Sequence, residues 1–239
     1  MNVETTQTIR EIVQQYPATV PVFETLGIDY CCGGGKSLNE ACKSRNIAPE
    51  AVMADLEQAL AAKPAQDAGK WLNSSLGELA DHIVRQHHVY ATRELTRLSA
   101  LAEKVFSRHG AKHKHLALLR DLVNATAAEM TTHMLKEEQL LFPAFKLLEA
   151  SISGETTHAS YATSLGKPIR RLMDDHDDTG ELLSRIRELA NDYRPPAGAC
   201  MSFQALYHGL EDLERDLHMH IHLENNILFP RVLDLAKSN

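Results

Sequence analysis

Two stretches of this sequence repeat one another, and both carry side chains that bind metals. His133-Met134-Leu135-Lys136-Glu137 runs on into Glu138-Gln139-Leu140-Leu141-Phe142-Pro143. His220-Ile221-His222-Leu223-Glu224 runs on into Asn225-Asn226-Ile227-Leu228-Phe229-Pro230. In each copy His and Glu stand four apart, so on a helix an imidazole and a carboxylate project from one face. Apolar residues share those faces: Met130, Met134, Leu140 and Leu141 in the first copy, Leu217, Ile221, Ile227 and Leu228 in the second. A carboxylate on a buried stripe has to be paired or bound to a cation. One His-x-x-x-Glu is common on solvated helices, but two in matching apolar frames point to a metal centre.

The same repeat names the elements that would position these pairs. His88 stands forty-five residues before His133, and His176 forty-four before His220. The order is a helix with a lone His, then a helix with His and Glu, then both again. Four helices would each contribute to one site, as in bundle-core metal centres. Four His and two Glu make a di-metal site.

Thirteen histidines compete for the four places. His218 and His222 lie two residues from His220, about 200° round the helix, and point away from its face. His109, His113 and His115 cluster in a polar turn and read as solvated. His208 has no counterpart in the first half. Spacing leaves His87 and His88 nearly equivalent. Glu138 adjoins Glu137, but its counterpart is Asn225, which favours Glu137. Mixed imidazole and carboxylate suit iron or manganese rather than a thiolate-selected metal. Glu155-x-x-His158, an unrepeated Glu-x-x-His in a Ser/Thr-rich loop, reads as chance. Glu129 and Asp216, four before each paired His, and Asp175, just before His176, fit either solvated carboxylates or support for the ligands' outer nitrogens.

The chain of 239 residues has 44% hydrophobic residues and a formal net charge of −7. A pI near 6.0 argues against nucleic acid or an anionic membrane as the main partner. No apolar run is long enough to span a bilayer, and Met1-Asn2-Val3-Glu4-Thr5 does not resemble a signal peptide, so a cytoplasmic location is expected. The expected fold is all-α: an up-down four-helix bundle over 75–239, a linker over 63–74 and a small helical domain over 1–62. In that domain Thr8 caps a helix ending at Tyr16-Pro17, and a second helix, around Val20 to Leu26, stops at Gly27. Ser37-Leu38-Asn39-Glu40 is a capping box, and Pro49 opens a last helix with Val52, Met53, Leu56 and Leu60 inside. Trp71 should pack against a domain. In the bundle, Ser75 and Glu78 open the first helix, Pro143 should kink the second, and 151–166 reads as a loop.

Cys31 and Cys32 sit in Ile28-Asp29-Tyr30-Cys31-Cys32-Gly33-Gly34-Gly35. Three glycines argue against a packed core, no neighbour in sequence completes a metal site, and a following helix N-terminus would favour thiolate. The pair therefore reads as reactive thiols. Cys42 and Cys200, placed on helices, read as structural.

These features together resemble the repair-of-iron-centres (RIC) family. The His-x-x-x-Glu pairs with their lone His look like the hemerythrin-like fold, and Tyr30-Cys31-Cys32-Gly33-Gly34 resembles the family's small opening domain. The resemblance implies metal ligands at His88, His133, Glu137, His176, His220 and Glu224, and it selects His88 over His87. It implies two non-haem iron ions with carboxylate and oxo or hydroxo bridges, and a cytoplasmic stress-response protein that repairs iron–sulfur clusters. Expected partners are damaged iron–sulfur proteins, NO or O2 as a small ligand, and a second copy of the chain. Oxygen-carrying hemerythrins place Asp five after the second His, where this chain has Asn225, which argues against O2 transport. Two other functions stay open: reduction of NO at the di-iron site, and a sensor or scavenger that holds NO or O2 without turnover.

Overall fold

The computed structural model describes residues 3–61, 70–152 and 165–237. Most of the expected 63–74 linker and of the 151–166 loop, with Glu155 and His158, lies outside them. Among the described residues every regular element is helical, and no helix is long and apolar enough to cross a membrane.

The first four helices are α1 (Ile9–Gln15), α2 (Val20–Leu26), α3 (Leu38–Arg45) and α4 (Pro49–Ala61). α1 opens on a capping box: Glu11 N–H donates to Thr8 Oγ1 at 3.2 Å, and Thr8 N–H donates to the Glu11 carboxylate at 2.8 Å. Ser37 with Glu40, and Ser75 with Glu78, repeat the device at α3 and at the start of the bundle. Each such cap contributes about 1 kcal/mol. α2 ends at Gly27, whose φ of 62° a side chain would resist. Ile9, Ile12, Val13, Phe23, Leu38 and Leu56 form the core of this unit. Met53 and Leu60 are only half-buried, so the α4 stripe is narrower than its sequence pattern.

A short α5 (Lys70–Asn73) occupies the end of the expected linker, and Trp71 stacks on His82 at 4.1 Å between ring centroids. The bundle comes next in the chain. Its first helix is α6 (Leu76–Ile83) and α7 (Val89–His109), and its second is α8 (His115–Lys136) and α9 (Phe142–Ile152). The third is α10 (Gly166–Leu189), and the fourth is α11 (Met201–His222) and α12 (Phe229–Lys237).

In the first, second and fourth helices the two parts are joined by a π turn: Val84–His88, Glu137–Leu141 and Leu223–Leu228. There the N–H groups of Val89, Phe142 and Phe229 reach five residues back, to the carbonyls of Val84, Glu137 and Glu224. Each π turn inserts a residue and rotates the remainder of its helix. That rotation turns Leu140 out to 67% exposure, although its spacing predicts a place on the buried face. Pro143 and Pro230 then fall in the first turns of α9 and α12, where a missing N–H is tolerated.

Two apolar clusters fill the bundle. One joins Leu95, Leu98, Leu119, Val123, Met130, Met134, Leu183 and Leu217, and the other joins Leu79, Ile83, Phe142, Phe145, Ile169, Leu172, Leu228 and Phe229. On every helix the chemistry-bearing residues fall at the junction of the stretches that build these two clusters.

The small unit docks on α11 and the π turn after it. Ile221 belongs to the small unit's core, not to the metal-facing stripe that its spacing predicts. Asn226 Nδ2 donates to Tyr30 O at 2.8 Å, Arg10 Nε donates to Asn226 Oδ1 at 2.7 Å, and Gln14 Nε2 donates to the Asn226 carbonyl. Gly34 fits between these groups, since a Cβ there would stand 3.0 Å from Tyr30 O.

Candidate metal centre

Six side chains meet at the level between the two apolar clusters. His88, Glu137, His220 and Glu224 form one group, and His133, Glu137, His176 and Glu224 the other, with all six residues buried. Both glutamates belong to both groups. His88 Nε2 lies 3.2 Å from His220 Nε2, and His133 Nε2 lies 2.9 Å from His176 Nε2. Two nitrogens bound at right angles to one ion, each at about 2.1 Å, stand about 3 Å apart. His133 Nε2 is 3.2 Å from Glu137 Oε1, His220 Nε2 is 3.0 Å from Glu224 Oε1, and His176 Nε2 is 3.1 Å from Glu224 Oε2.

Both Glu137 oxygens and Glu224 Oε2 are sealed from solvent and meet only imidazole nitrogens of the same cluster, none in hydrogen-bonding geometry. Buried carboxylates left so cost several kcal/mol unless a cation completes them. The donor set therefore fits metal, and its oxygens and imidazoles suit iron or manganese.

The outer nitrogens are held unequally. His88 Nδ1 pairs with Glu138 Oε1 at 2.7 Å, and His176 Nδ1 pairs with Asn225 Oδ1 at 2.9 Å. Glu138 and Asn225 occupy the same place in the two copies, immediately after the shared glutamates. Such partners fix the imidazole's orientation and leave Nε2 free to bind. His133 Nδ1 is 3.7 Å from Asp175, beyond a hydrogen bond, and Asp175 is held by Lys136 at 3.0 Å. Asp216 serves His87, not a ligand: His87 Nδ1 lies 3.0 Å from it and the His87 ring stacks on His220. Glu129 is exposed, and with Lys136 and Asp175 it lines a polar cleft of 400 Å³ that reaches His133.

Burial dominates the electrostatics and the charges redistribute it. It lowers the His220 imidazole to about 3. It acts in the same sense on His133, but there Glu137, Glu224 and Asp175 outweigh it and raise the group to about 9. His88 is likewise raised, with Glu224 and Glu137 overcoming its burial. Burial and then Glu224 push the Glu137 carboxyl up, while His220 and His176 hold Glu224 well down despite its burial. Of the two carboxyls, Glu137 is therefore the one whose surroundings favour a proton.

The histidines excluded by their spacing stand apart from the six. His218 meets Glu24 of the small unit at 3.3 Å, and His222 Nδ1 accepts from Asn226 Nδ2 at 2.9 Å. His208 is exposed. The turn histidines are not simply solvated, because His115 Nε2 meets Tyr207 Oη at 3.0 Å and His109 Nε2 meets Cys200 Sγ at 3.2 Å. Cys200 is the exposed N-cap residue of α11 rather than part of a helix, whereas Cys42 is buried in α3.

The cysteine loop differs most from expectation. Cys31 is in the small unit's core, with only Cys32 partly open to solvent. No helix N-terminus serves the thiols, since α3 begins only at Leu38 behind its own cap. The loop's amides turn to Asp29, and the neighbouring Cys32, burial and Asp29 push the Cys31 thiol well up, away from thiolate. The loop also touches the metal centre's frame: Cys32 Sγ lies 3.4 Å from His176 O, and Asn225 Nδ2 lies 3.5 Å from Cys31 O.

Sequence comparison accounts for both parts of the chain. Residues 79–232 match the hemerythrin HHE cation binding domain, and residues 5–60 match the ScdA_N model, a domain of unknown function (DUF542). The iron-sulfur cluster repair protein ScdA of Staphylococcus haemolyticus is 36% identical over 225 residues, 92% of this chain and 95% of the relative. A probable iron-sulfur cluster repair protein of Haemophilus influenzae is 36% identical over 95% of this chain and 97% of its own. The iron-sulfur cluster repair protein YtfE of an Enterobacter species is 35% identical, covering 95% of this chain and 96% of its own.

Proposed function

This chain belongs to the iron–sulfur cluster repair family, built on a hemerythrin-type cation-binding domain, and on that premise we propose that it restores damaged iron–sulfur clusters using two iron ions held by His88, His133, Glu137, His176, His220 and Glu224. The observation that carries this reading is the pair of buried groups sharing both glutamates. Glu137 and Glu224, which belong to both groups, would be shared between the two ions. When bound, the iron pair supplies metal for cluster rebuilding and a place to take up NO.

The chain's own residues set how firmly the metal is held. Glu138 and Asn225 orient His88 and His176. Burial and the neighbouring Glu224 favour the protonated form of Glu137, so a metal held there would compete with a proton for the same oxygens. The polar cleft at His133, with Glu129 and Asp175 on its wall, offers a path to solvent. Of the Cys31 and Cys32 pair, Cys32, partly open to solvent, is the thiol placed for exchange with client proteins in the cytoplasm, with the buried Cys31 behind it.

The test is recovery of an iron–sulfur enzyme inactivated by NO or peroxide. Iron-loaded protein should speed recovery well beyond an equal amount of free ferrous iron, and the apo form and His133→Ala should not. Equal recovery with free iron would overturn the repair reading and leave NO binding in its place.

A further inference from the structure

We propose that Asp29, Cys31 and Cys32 form a third metal site, for a thiophilic divalent cation, on the wall of the cleft between the small unit and the bundle. Their ligand atoms, one from each side chain, lie within 4.8 Å of one another. The two adjacent sulfurs converge to 3.8 Å, and Cys31 Sγ lies 3.4 Å from Asp29 Oδ1. A tetrahedral ion with bonds of about 2.3 Å to sulfur and about 2.1 Å to oxygen needs edges of about 3.8 and about 3.6 Å. Two of the three edges already have about those lengths, and the third lies within 4.8 Å.

The carboxylate is fixed in place. Asp29 Oδ1 accepts from the N–H groups of Cys31 at 3.1 Å and Cys32 at 2.9 Å, and Oδ2 accepts from Gly33 N–H at 2.8 Å. A Cβ at Gly33 would come within 2.9 Å of Oδ2, so a larger residue would displace the ligand. A turn held by Asp29 explains the amide contacts but not two sulfurs gathered beside the same oxygen.

Asp29, Cys31 and Cys32 line a cleft of 1230 Å³ that Asp177 also lines, one residue beyond His176, and a fourth ligand would come from that cleft. Binding releases two thiol protons to solvent and leaves the ion's oxidation state unchanged. In the protein the ion is ferrous iron passing to or from the bundle centre; that assignment rests on the repair reading, whereas the site does not.

Anaerobic titration of the full-length protein with Co²⁺ tests the site. Thiolate-to-cobalt charge transfer in the near ultraviolet reports sulfur ligation alone, because the bundle centre offers none. One equivalent per chain should produce the band. Cys32→Ala, a half-exposed position that folding tolerates, and Cys31→Ser should abolish it, and Asp29→Asn should weaken binding at least tenfold. The cobalt d–d absorbance of the bundle should persist in all three variants and shows that they are folded. No band in wild type with free thiols, or unchanged affinity in Asp29→Asn, overturns the site. Iron in the bundle without the thiolate band would refute the third site and leave the proposed function standing, and the band without bundle iron would do the reverse.

Discussion

Glu138 and Asn225 do the same task with different chemistry. A carboxylate backing His88 strengthens that imidazole as a donor more than the neutral amide backing His176. Asn225→Leu should lower metal affinity ten- to a hundredfold at the His133–His176 half, measured as loss of about one ion per chain at limiting metal. Glu138→Leu should act on the other half. A second contrast separates ligands from bystanders: Glu137→Ala or Glu224→Ala should empty or scramble the centre, and His218→Ala should leave metal content unchanged. Two ions per chain in both Glu variants would refute the bridging roles. The His and Glu pairs of the six-residue cluster were legible because spacing of four on one helix is local geometry, whereas the choice of His88 over His87 came only with the family resemblance. The partners of Nδ1 were not, because each reaches across to another helix. A signal existed all the same: both stand at one offset in a visible repeat, where the Glu/Asn mismatch read only as a reason to prefer Glu137.

At the level of elements, the π turns are what the periodicity hid. The caps, the Gly27 stop and the four long helices follow from residue chemistry that acts within a few positions. A π turn follows from no propensity, since it is held by the packing and ligand geometry around it. Three of the four helices carry one, and His88, Glu137 and Glu224 lie within them. Deleting Gln86 should convert the first π turn to α-helix and rotate the residues before it by roughly 100° relative to His88. Helical circular dichroism should be retained while at least one metal equivalent is lost. A variant still holding two would mean the turn does not position His88.

Across the whole molecule, the two units are less separate than their caps and linker suggested. Ile221 lends itself to the small unit's core, and the Asn226 side chain bonds Tyr30, Arg10 and His222. Sequence could not reveal this, because Ile221 and Asn226 read equally well as residues of the bundle interior. Asn226→Ala strands several buried groups and should cost roughly 2–4 kcal/mol in chemical denaturation. A change under about 0.5 kcal/mol would show that the docking contributes little. His222 should also make the interface acid-sensitive. Burial, with help from Arg10, lowers it to about 4, and it accepts from Asn226 only when Nδ1 is unprotonated. Below about pH 6.5 the unfolded chain takes a proton that the folded chain refuses. Stability should therefore fall as pH drops from 6.5 towards 4, by up to about 1.4 kcal/mol per pH unit, and His222→Gln should flatten that slope.

The repeat has one more consequence, and it concerns symmetry. After the shared glutamate the first copy continues with Glu138 and Gln139, both exposed, and the second with Asn225 and Asn226, both buried against the small unit. A doubled helical hairpin begins with two interchangeable faces. In this molecule only the second copy's face holds a neighbour, and its two asparagines tell the front of the molecule from its back.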